Sequence, residues 1–186
     1  MLIEPNFAFI AGTPALCFVD TVADRGRLAT DRLRKPTDLD IWLKAAGLDT
    51  GGARPASPDD LLQTRELREA IYRCGMAAVG GAPFDPADIA CINRHAQQPP
   101  LRPRIEGATV VLQAKRPIEA ALSTLAADAI AILTGSSRQR IRICPECAMM
   151  FVDTSRPGKR RWCSSATGCG NRAKVRRHRA KHLQPE

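Results

Sequence analysis

The sequence is poor in aromatic residues, which make up only 4% of its 186 residues. It also lacks a basic, apolar leader at its start and an uninterrupted apolar run of about 18 residues, the length that crosses a membrane. We therefore expect neither a secretory signal nor a membrane span, and we place the protein in the cytoplasm. An apolar content of 44% still supports a globular core, which must consist mainly of aliphatic side chains.

Acidic residues are nearly absent from the last quarter of the chain. Residues 138–183 contain 13 lysines and arginines but only two acids, a net charge of +11. Residues 1–137 contain 15 basic and 16 acidic residues and are nearly neutral. The excess positive charge is therefore local, and a local basic surface indicates a polyanionic partner such as nucleic acid.

Helix-start signals recur through the first 137 residues and predict a mainly α-helical body. In each case a capping residue or a proline precedes apolar side chains at three- and four-residue spacing. The predicted helices are residues 37–46 with Thr37 as the N-cap, the segments that follow the caps Ser57 and Asp85, and residues 117–133. Residues 15–23 fit either a short helix or a strand.

A small β element is expected at residues 108–114, after a linker at 99–103. The Gly-Ser-Ser sequence at 135–137 coincides with the change in charge density. We therefore divide the chain into a helical domain of residues 1–137 and a module of residues 138–186. The first domain is expected to form a homodimer or to bind a small-molecule effector.

Four of the seven cysteines form two closely spaced groups in the basic module. Two residues separate Cys144 from Cys147, and five separate Cys163 from Cys169. In a reducing compartment this spacing is typical of zinc, which four thiolates surround at about 2.3 Å. We predict one structural Zn²⁺ held by these four residues. Between the two groups we expect a β-hairpin with strands at 149–153 and 159–162, then a helix from about residue 171, an arrangement of the treble-clef type.

Other assignments of these groups stay open. The pair in Cys-Pro-Glu-Cys could be a redox site, although the βαβ surroundings of a thioredoxin-like motif are missing. His178 and His182 lie four residues apart and could replace one thiolate as a ligand. The remaining cysteines, Cys17, Cys74 and Cys91, occupy apolar stretches and are expected to be small core residues.

The last predicted helix carries many cations and no acid between residues 172 and 182. Its few apolar residues, Val175 and two alanines, cannot form a core-facing stripe. A solvated helix usually mixes charges of both signs, so this one-sided charge favours contact with phosphates. The predicted nucleic-acid-binding residues are Arg160, Arg161, Arg172, Lys174, Arg176, Arg177, Arg179 and Lys181.

The region around the last two cysteines resembles the CGNR zinc-finger family of bacterial proteins. The matching residues are Arg160-Arg161-Trp162-Cys163 and Cys169-Gly170-Asn171-Arg172-Ala173-Lys174, with residues 151–155 ahead of them. Residues 16–22 and 40–43 resemble the N-terminal domain that accompanies this finger, the ABATE-type domain described as a "putative stress-induced transcription regulator". The family usually has four residues between the last two cysteines, whereas this chain has five, an addition that a bulge near Gly168 can absorb.

The resemblance implies a zinc-binding and DNA-binding regulator. We predict a zinc-dependent DNA-binding transcription regulator whose basic C-terminal helix contacts phosphates. The alternative is a zinc module that binds RNA or a protein partner. Catalytic activity is not expected, because a catalytic zinc keeps an open coordination position and four thiolates close the site.

Overall fold

A computed structural model describes residues 7–50, 54–164 and 168–182, with side chains as far as residue 180. In this part of the chain the body contains the helices α1 (Pro14–Val19), α2 (Pro36–Ala45), α3 (Pro58–Gly80), α4 (Pro86–Ala96) and α5 (Pro117–Thr134). Two antiparallel pairs accompany them, β1 (Val22–Ala23) with β2 (Thr30–Asp31) and β3 (Arg102–Glu106) with β4 (Thr109–Gln113). A 3₁₀ turn (Ser136–Arg140) leads to β5 (Ile141–Ile143), β6 (Met150–Val152) and α6 (Cys169–His182). The prediction of a mainly helical body with small β elements is confirmed.

Helix α5 is the central element of the body, as the apolar spacing at 117–133 predicts. Ten of its residues are buried, and Leu125 is completely inaccessible to solvent. The helix packs against α1, α3 and α4. Trp42 of α2 is also fully buried and lies beside Phe18, with 5.3 Å between the ring centroids. Two of the scarce aromatic side chains, Phe18 and Trp42, therefore pack together at α1, while α5 supplies aliphatic core.

Among the described residues, α5 is long and apolar enough to cross a membrane by length and composition alone. However, 56% of this helix is buried inside the protein. The Asp128 carboxylate on α5 accepts a hydrogen bond of 2.8 Å from the backbone N–H of Ala15 in α1. Both the burial and this polar contact fit a helix that belongs to the core of the body.

Helix α3 begins where the capping signal predicts. The Ser57 hydroxyl accepts from the backbone N–H of Asp60, and the Asp60 carboxylate accepts from the backbone N–H of Ser57 at 2.7 Å. Pro58 occupies the first helical position, where its missing N–H costs no helical hydrogen bond. Gly81 follows the helix with φ = +71°, a left-handed conformation that glycine adopts without strain.

The Asp60 carboxylate predicts a pH-dependent stability. Burial by itself raises the pKa of Asp60, but hydrogen bonds from Arg54 and Ser57 outweigh it and lower this pKa to about 2. The ionised carboxylate therefore stabilises the fold above pH 4, and the stabilisation disappears as the pH falls through about 2. We expect Asp60→Asn to lower the free energy of unfolding by about 1 to 2 kcal/mol at pH 6, with the difference from wild type vanishing near pH 2.

Chemical denaturation of both proteins across this pH range measures the difference. Asp59→Asn is the matched control, because Asp59 lies exposed in the same helical turn. Protonation of zinc ligands in acid affects all three proteins alike and cancels in the comparison. An Asp60→Asn effect that is constant from pH 6 to pH 2 would contradict the prediction.

Helix α2 covers residues 37–45 of the predicted 37–46 segment, but the predicted N-cap, Thr37, is wrong. The N-cap is Lys35 and Pro36 takes the first helical position. The physical reason lies in Asp38, whose carboxylate accepts from the backbone N–H groups of Arg34 and Lys35 at 2.9 and 3.0 Å. These two bonds stabilise a helix start two residues earlier than a capping Thr37 would.

Strand β4 confirms the strand predicted at 108–114, but the linker predicted at 99–103 is partly wrong. Strand β3 begins at Arg102 and includes Pro103, which lies opposite Leu112 in the two-stranded sheet. Both strands of such a sheet are edges, so the missing N–H of a proline can face away from the partner. Pro103 is therefore predicted as part of a loop, although an edge strand can contain a proline at this position.

The hairpin predicted in the zinc module has a different second strand. Strand β6 lies within the predicted 149–153 segment, but it pairs with β5, and residues 159–162 form no strand. The Asp153 carboxylate explains the difference: it accepts from the backbone N–H groups of Ser155 and Arg160 at 2.9 Å each, which folds this segment back as an irregular loop.

Strand β6 is buried against the body. Met150 and Phe151 are completely inaccessible to solvent. The backbone N–H of Met150 donates to the Asp20 carboxylate at 3.2 Å, and that of Val152 donates to the carbonyl of Ala11 at 2.8 Å. The hairpin of β5 and β6 therefore shares one hydrophobic core with α1 and α3 and holds the cysteine-bearing loops against the body.

Candidate metal centre

The four predicted cysteine ligands converge on one point. The sulfur atoms of Cys144, Cys147, Cys163 and Cys169 all lie within 4.8 Å of one another. Cys144 follows β5, Cys147 ends the turn before β6, Cys163 lies in the irregular loop, and Cys169 is the first residue of α6. All four ligands belong to the predicted module of residues 138–186.

The turn between β5 and β6 is a closed knuckle. The backbone N–H of Ala148 donates to the carbonyl of Cys144 at 2.9 Å, and the N–H of Cys144 donates to the carbonyl of Met149 at 2.9 Å. Ala148 has φ = +55°, a left-handed conformation that costs energy for a residue with a side chain. The knuckle thereby presents both thiols of the first pair to the same side.

The spacing of the sulfur atoms fits a tetrahedral zinc site. Four thiolates about 2.3 Å from one ion lie about 3.8 Å from each other, and the sulfur atoms of Cys147 and Cys163 are 3.6 Å apart. Cys144, Cys163 and Cys169 are each at most 3% exposed, so the site is closed to solvent on most sides. These four residues are positioned to bind one zinc ion, as predicted.

The electrostatics of the cluster favour a cation. Hydrogen bonding with the Cys163 thiol lowers the pKa of Cys147 to about 5 and raises the pKa of Cys163. Burial raises the pKa of Cys169 to about 11. Among the four neighbouring thiols, one thus loses its proton readily, whereas ionisation of further thiols is unfavourable. A divalent ion removes this resistance, because it compensates the charge of the additional thiolates.

Cys169 reaches the cluster despite the additional residue between it and Cys163. Gly168 has φ = +94°, in the region that favours glycine, and its carbonyl accepts from the backbone N–H of Arg172. The Arg172 guanidinium also donates to the Cys169 sulfur at 3.1 Å. A helix N-terminus and a neighbouring guanidinium both stabilise a thiolate. Residues 165–167 lie outside the described part of the chain.

Among the residues that the structure describes, the other sulfur and imidazole groups take no part in the cluster. Cys17 and Cys74 are buried and Cys91 is half-buried, in agreement with their assignment to the core. The cluster of potential ligands found among the described residues consists of four cysteines without a histidine. His178 lies on α6, and the side chain of His182 lies outside the described residues.

The predicted cations divide into two classes, and three of them make internal contacts. Arg160 lies over the Phe151 ring at 4.6 Å and donates to the carbonyl of Trp162 at 2.9 Å. Arg176 forms a two-pronged ion pair with Glu146, the residue between Pro145 and Cys147 in the knuckle. Arg172, besides its bond to Cys169, has its Nε atom 4.0 Å from the same carboxylate. These three residues tie the loop and α6 to the metal knuckle.

Four other predicted cations face solvent. Arg161 is exposed and its guanidinium lies 5.3 Å from the centre of the Trp162 ring. Lys174, Arg177 and Arg179 are exposed, and no ion pair to them is found among residues 7–50, 54–164 and 168–180. The side chain of Lys181 lies outside the described residues. The exposed cations are therefore available to an external anion without first breaking an ion pair.

Glu146 is the residue that the sequence analysis missed. Its side chain is only 7% exposed, and the hydrogen bond from Arg176 lowers its pKa. Arg27, from the turn between β1 and β2, also approaches this carboxylate, at 3.6 Å. The available signal was a single acid between two metal ligands in a module that is otherwise almost entirely basic.

Comparison with known families agrees with this architecture. A family model described as "Putative stress-induced transcription regulator" (ABATE) matches residues 12–136, about two thirds of the chain. A second model, the CGNR zinc finger, matches residues 140–182 and so includes all four cysteines. No curated protein matches the chain.

Proposed function

Because the chain belongs to the ABATE family and ends in a CGNR zinc finger, we propose that it is a transcription regulator that binds duplex DNA through α6. One observation carries this proposal: α6 is an exposed, acid-free helix whose first residue is a zinc ligand. A structural zinc ion holds the start of such a helix rigidly, so its cations need little further ordering to meet phosphates.

The arrangement of cations around α6 suits a DNA groove. At about 100° per residue, Arg172, Arg176 and Arg179 lie on one flank, and Lys174 and Arg177 lie on the opposite flank. The major groove of B-DNA is about 12 Å wide, admits one α-helix and has phosphates along both walls. Opposed cationic flanks would therefore each meet a wall, whereas a flat anionic surface would engage only one.

The proposal predicts a defined salt dependence. If four or five cations contact phosphates, the logarithm of affinity falls against the logarithm of salt concentration with a slope of roughly −4. Arg177→Ala combined with Arg179→Ala removes one exposed cation from each flank. We expect this double variant to bind all duplex sequences more weakly and to have a slope shallower by about two.

Fluorescence anisotropy with labelled duplexes over a salt series measures these slopes. The matched control combines Arg104→Ala with Arg116→Ala, which removes the same charge from exposed positions on the body. An equal change in the control would mean that only net charge matters and would remove the assignment to α6. Efficient competition by double-stranded or single-stranded RNA would favour the alternative of an RNA-binding module.

The zinc ion has a structural role in this proposal, and we propose no catalytic activity. Four thiolates occupy all positions of a tetrahedral ion, so none is left for a substrate or a water molecule. Formation of a homodimer and binding of a small-molecule effector by the body stay predictions. Either would allow the body to control DNA binding, and neither is needed for the phosphate contacts of α6.

A further inference from the structure

The turn between β1 and β2 lies directly against the metal knuckle. A Cβ atom on Gly26 would lie 3.4 Å from the Cβ of Ala148, an ordinary van der Waals distance, so the turn packs against the knuckle. The turn is closed by hydrogen bonds from the backbone N–H groups of Arg27 and Ala29 to the carbonyl of Asp24, at 2.9 and 3.0 Å. The body therefore presents a hydrogen-bonded turn against the knuckle that precedes β6.

Three guanidinium groups from two distant parts of the chain meet at this contact. Arg27 from the body and Arg172 and Arg176 from α6 lie 3.6, 4.0 and 2.9 Å from one oxygen atom, Oε1 of Glu146. Their side chains are 65%, 55% and 61% exposed, whereas that of Glu146 is 7% exposed. The cluster thus has three positive charges on its outside and one negative charge within.

One carboxylate cannot satisfy this cluster. It has few lone pairs, while each guanidinium has several N–H donors in a planar fork, one of which, on Arg172, already binds the Cys169 sulfur. The other N–H donors on the exposed edges of the three guanidinium groups can bind an external anion. Phosphate oxygens suit these donors, because arginine binds them in the same two-pronged manner as carboxylates.

We propose that Arg27, from the N-terminal body, contacts a DNA phosphate alongside the arginines of α6, so that both family regions form one duplex-binding surface. This inference rests on the proposed function of α6 and extends it to the body. On α6 the flank with Arg172 and Arg176 faces the β1–β2 turn through Glu146. If α6 lies in the major groove of a duplex, the phosphate backbone on the side of Arg172 and Arg176 runs close to this turn.

Duplex binding by the full-length zinc-loaded protein tests the inference. We expect Arg27→Ala to weaken binding and to make the salt slope shallower by about 0.9, the loss of one phosphate contact. Arg27→Lys retains the charge and should retain the slope. Arg104→Ala removes one exposed arginine from β3 and should leave the slope unchanged. Zinc content and thermal unfolding should be equal in all four proteins, because Arg27 is largely exposed.

The outcomes separate the two proposals. If wild type shows no salt-dependent duplex binding, the proposed function itself fails and this inference fails with it. If wild type has the steep slope but Arg27→Ala matches it, the function stands and the role of Arg27 is overturned. Weaker binding with an unchanged slope also overturns it, since Arg27 would then only position α6 through Glu146. Displacement of the duplex by RNA at equal concentration would overturn the proposal that Arg27 and α6 form a surface for DNA.

Discussion

Cys163→Ser is expected to abolish tight zinc binding and to unfold α6 while the helical body stays folded. Zinc binding and folding are the same process in small zinc units, where the ion contributes about 10 to 16 kcal/mol. Helix α6 has no hydrophobic stripe to hold it, and its contacts with the metal site and with Glu146 connect it to the rest of the module. The β5–β6 hairpin should remain in place, because Met150 and Phe151 are fully buried against the body.

Elemental analysis and hydrogen exchange measure these two effects. Zinc should fall from one ion per chain to none, and the amides of residues 169–182 should lose protection while those of α5 keep it. Cys91→Ser is the control, since Cys91 is a half-buried thiol outside the cluster. A Cys163→Ser protein that retains one zinc per chain would contradict the ligand assignment, and loss of protection throughout α5 would contradict the independence of the body.

Leu125→Ala should produce the largest loss of stability in the body, about 2 to 5 kcal/mol. Leu125 lies at the middle of α5 and is completely buried in the core, so truncation leaves a cavity that the surrounding helices cannot fill. Because α5 contacts α1, α3 and α4, the cost falls on the whole body rather than on one element.

Urea denaturation followed by circular dichroism gives this free energy, with Leu62→Ala as the control. Leu62→Ala is the same substitution on α3, but the side chain of Leu62 is 58% exposed. The expected loss of unfolding free energy is therefore within about 0.5 kcal/mol. Equal effects of the two substitutions would show that α5 is not the centre of the core.

The helices were predictable because their signals are local. Ser57 and Asp60, three residues apart, are enough to define the start of α3. The apolar spacing of α5 likewise lies within one segment of sequence. The error at Thr37 was small. It arose because Asp38 caps the helix from inside its first turn, whereas the prediction considered only residues that precede the helix as caps.

The strands were less predictable because their partners lie elsewhere in the chain. Residues 159–162 had suitable spacing for a hairpin, but the Asp153 carboxylate binds the backbone of Arg160 and prevents an extended conformation. Strand β6 instead pairs with β5, which precedes the knuckle in the sequence. Neither contact has a signature in a short window of sequence.

The same distinction applies to the site. The four cysteines could be identified from spacing alone, because zinc imposes a fixed number and type of ligands. The cluster around Glu146 could not, since Arg27 is more than a hundred residues away in sequence and only folding brings it to the knuckle. The charge count also could not show that Arg160 and Arg176 make internal contacts, whereas Arg177 and Arg179 face solvent.

In the proposed function α6, held by zinc, binds the phosphates of duplex DNA. The most direct test is the affinity of the full-length zinc-loaded protein for a random-sequence duplex over a series of salt concentrations. The account predicts a straight line of log affinity against log salt with a slope of roughly −4. Affinity that barely changes between low and high salt would contradict it and would make a protein partner the better explanation of the basic helix.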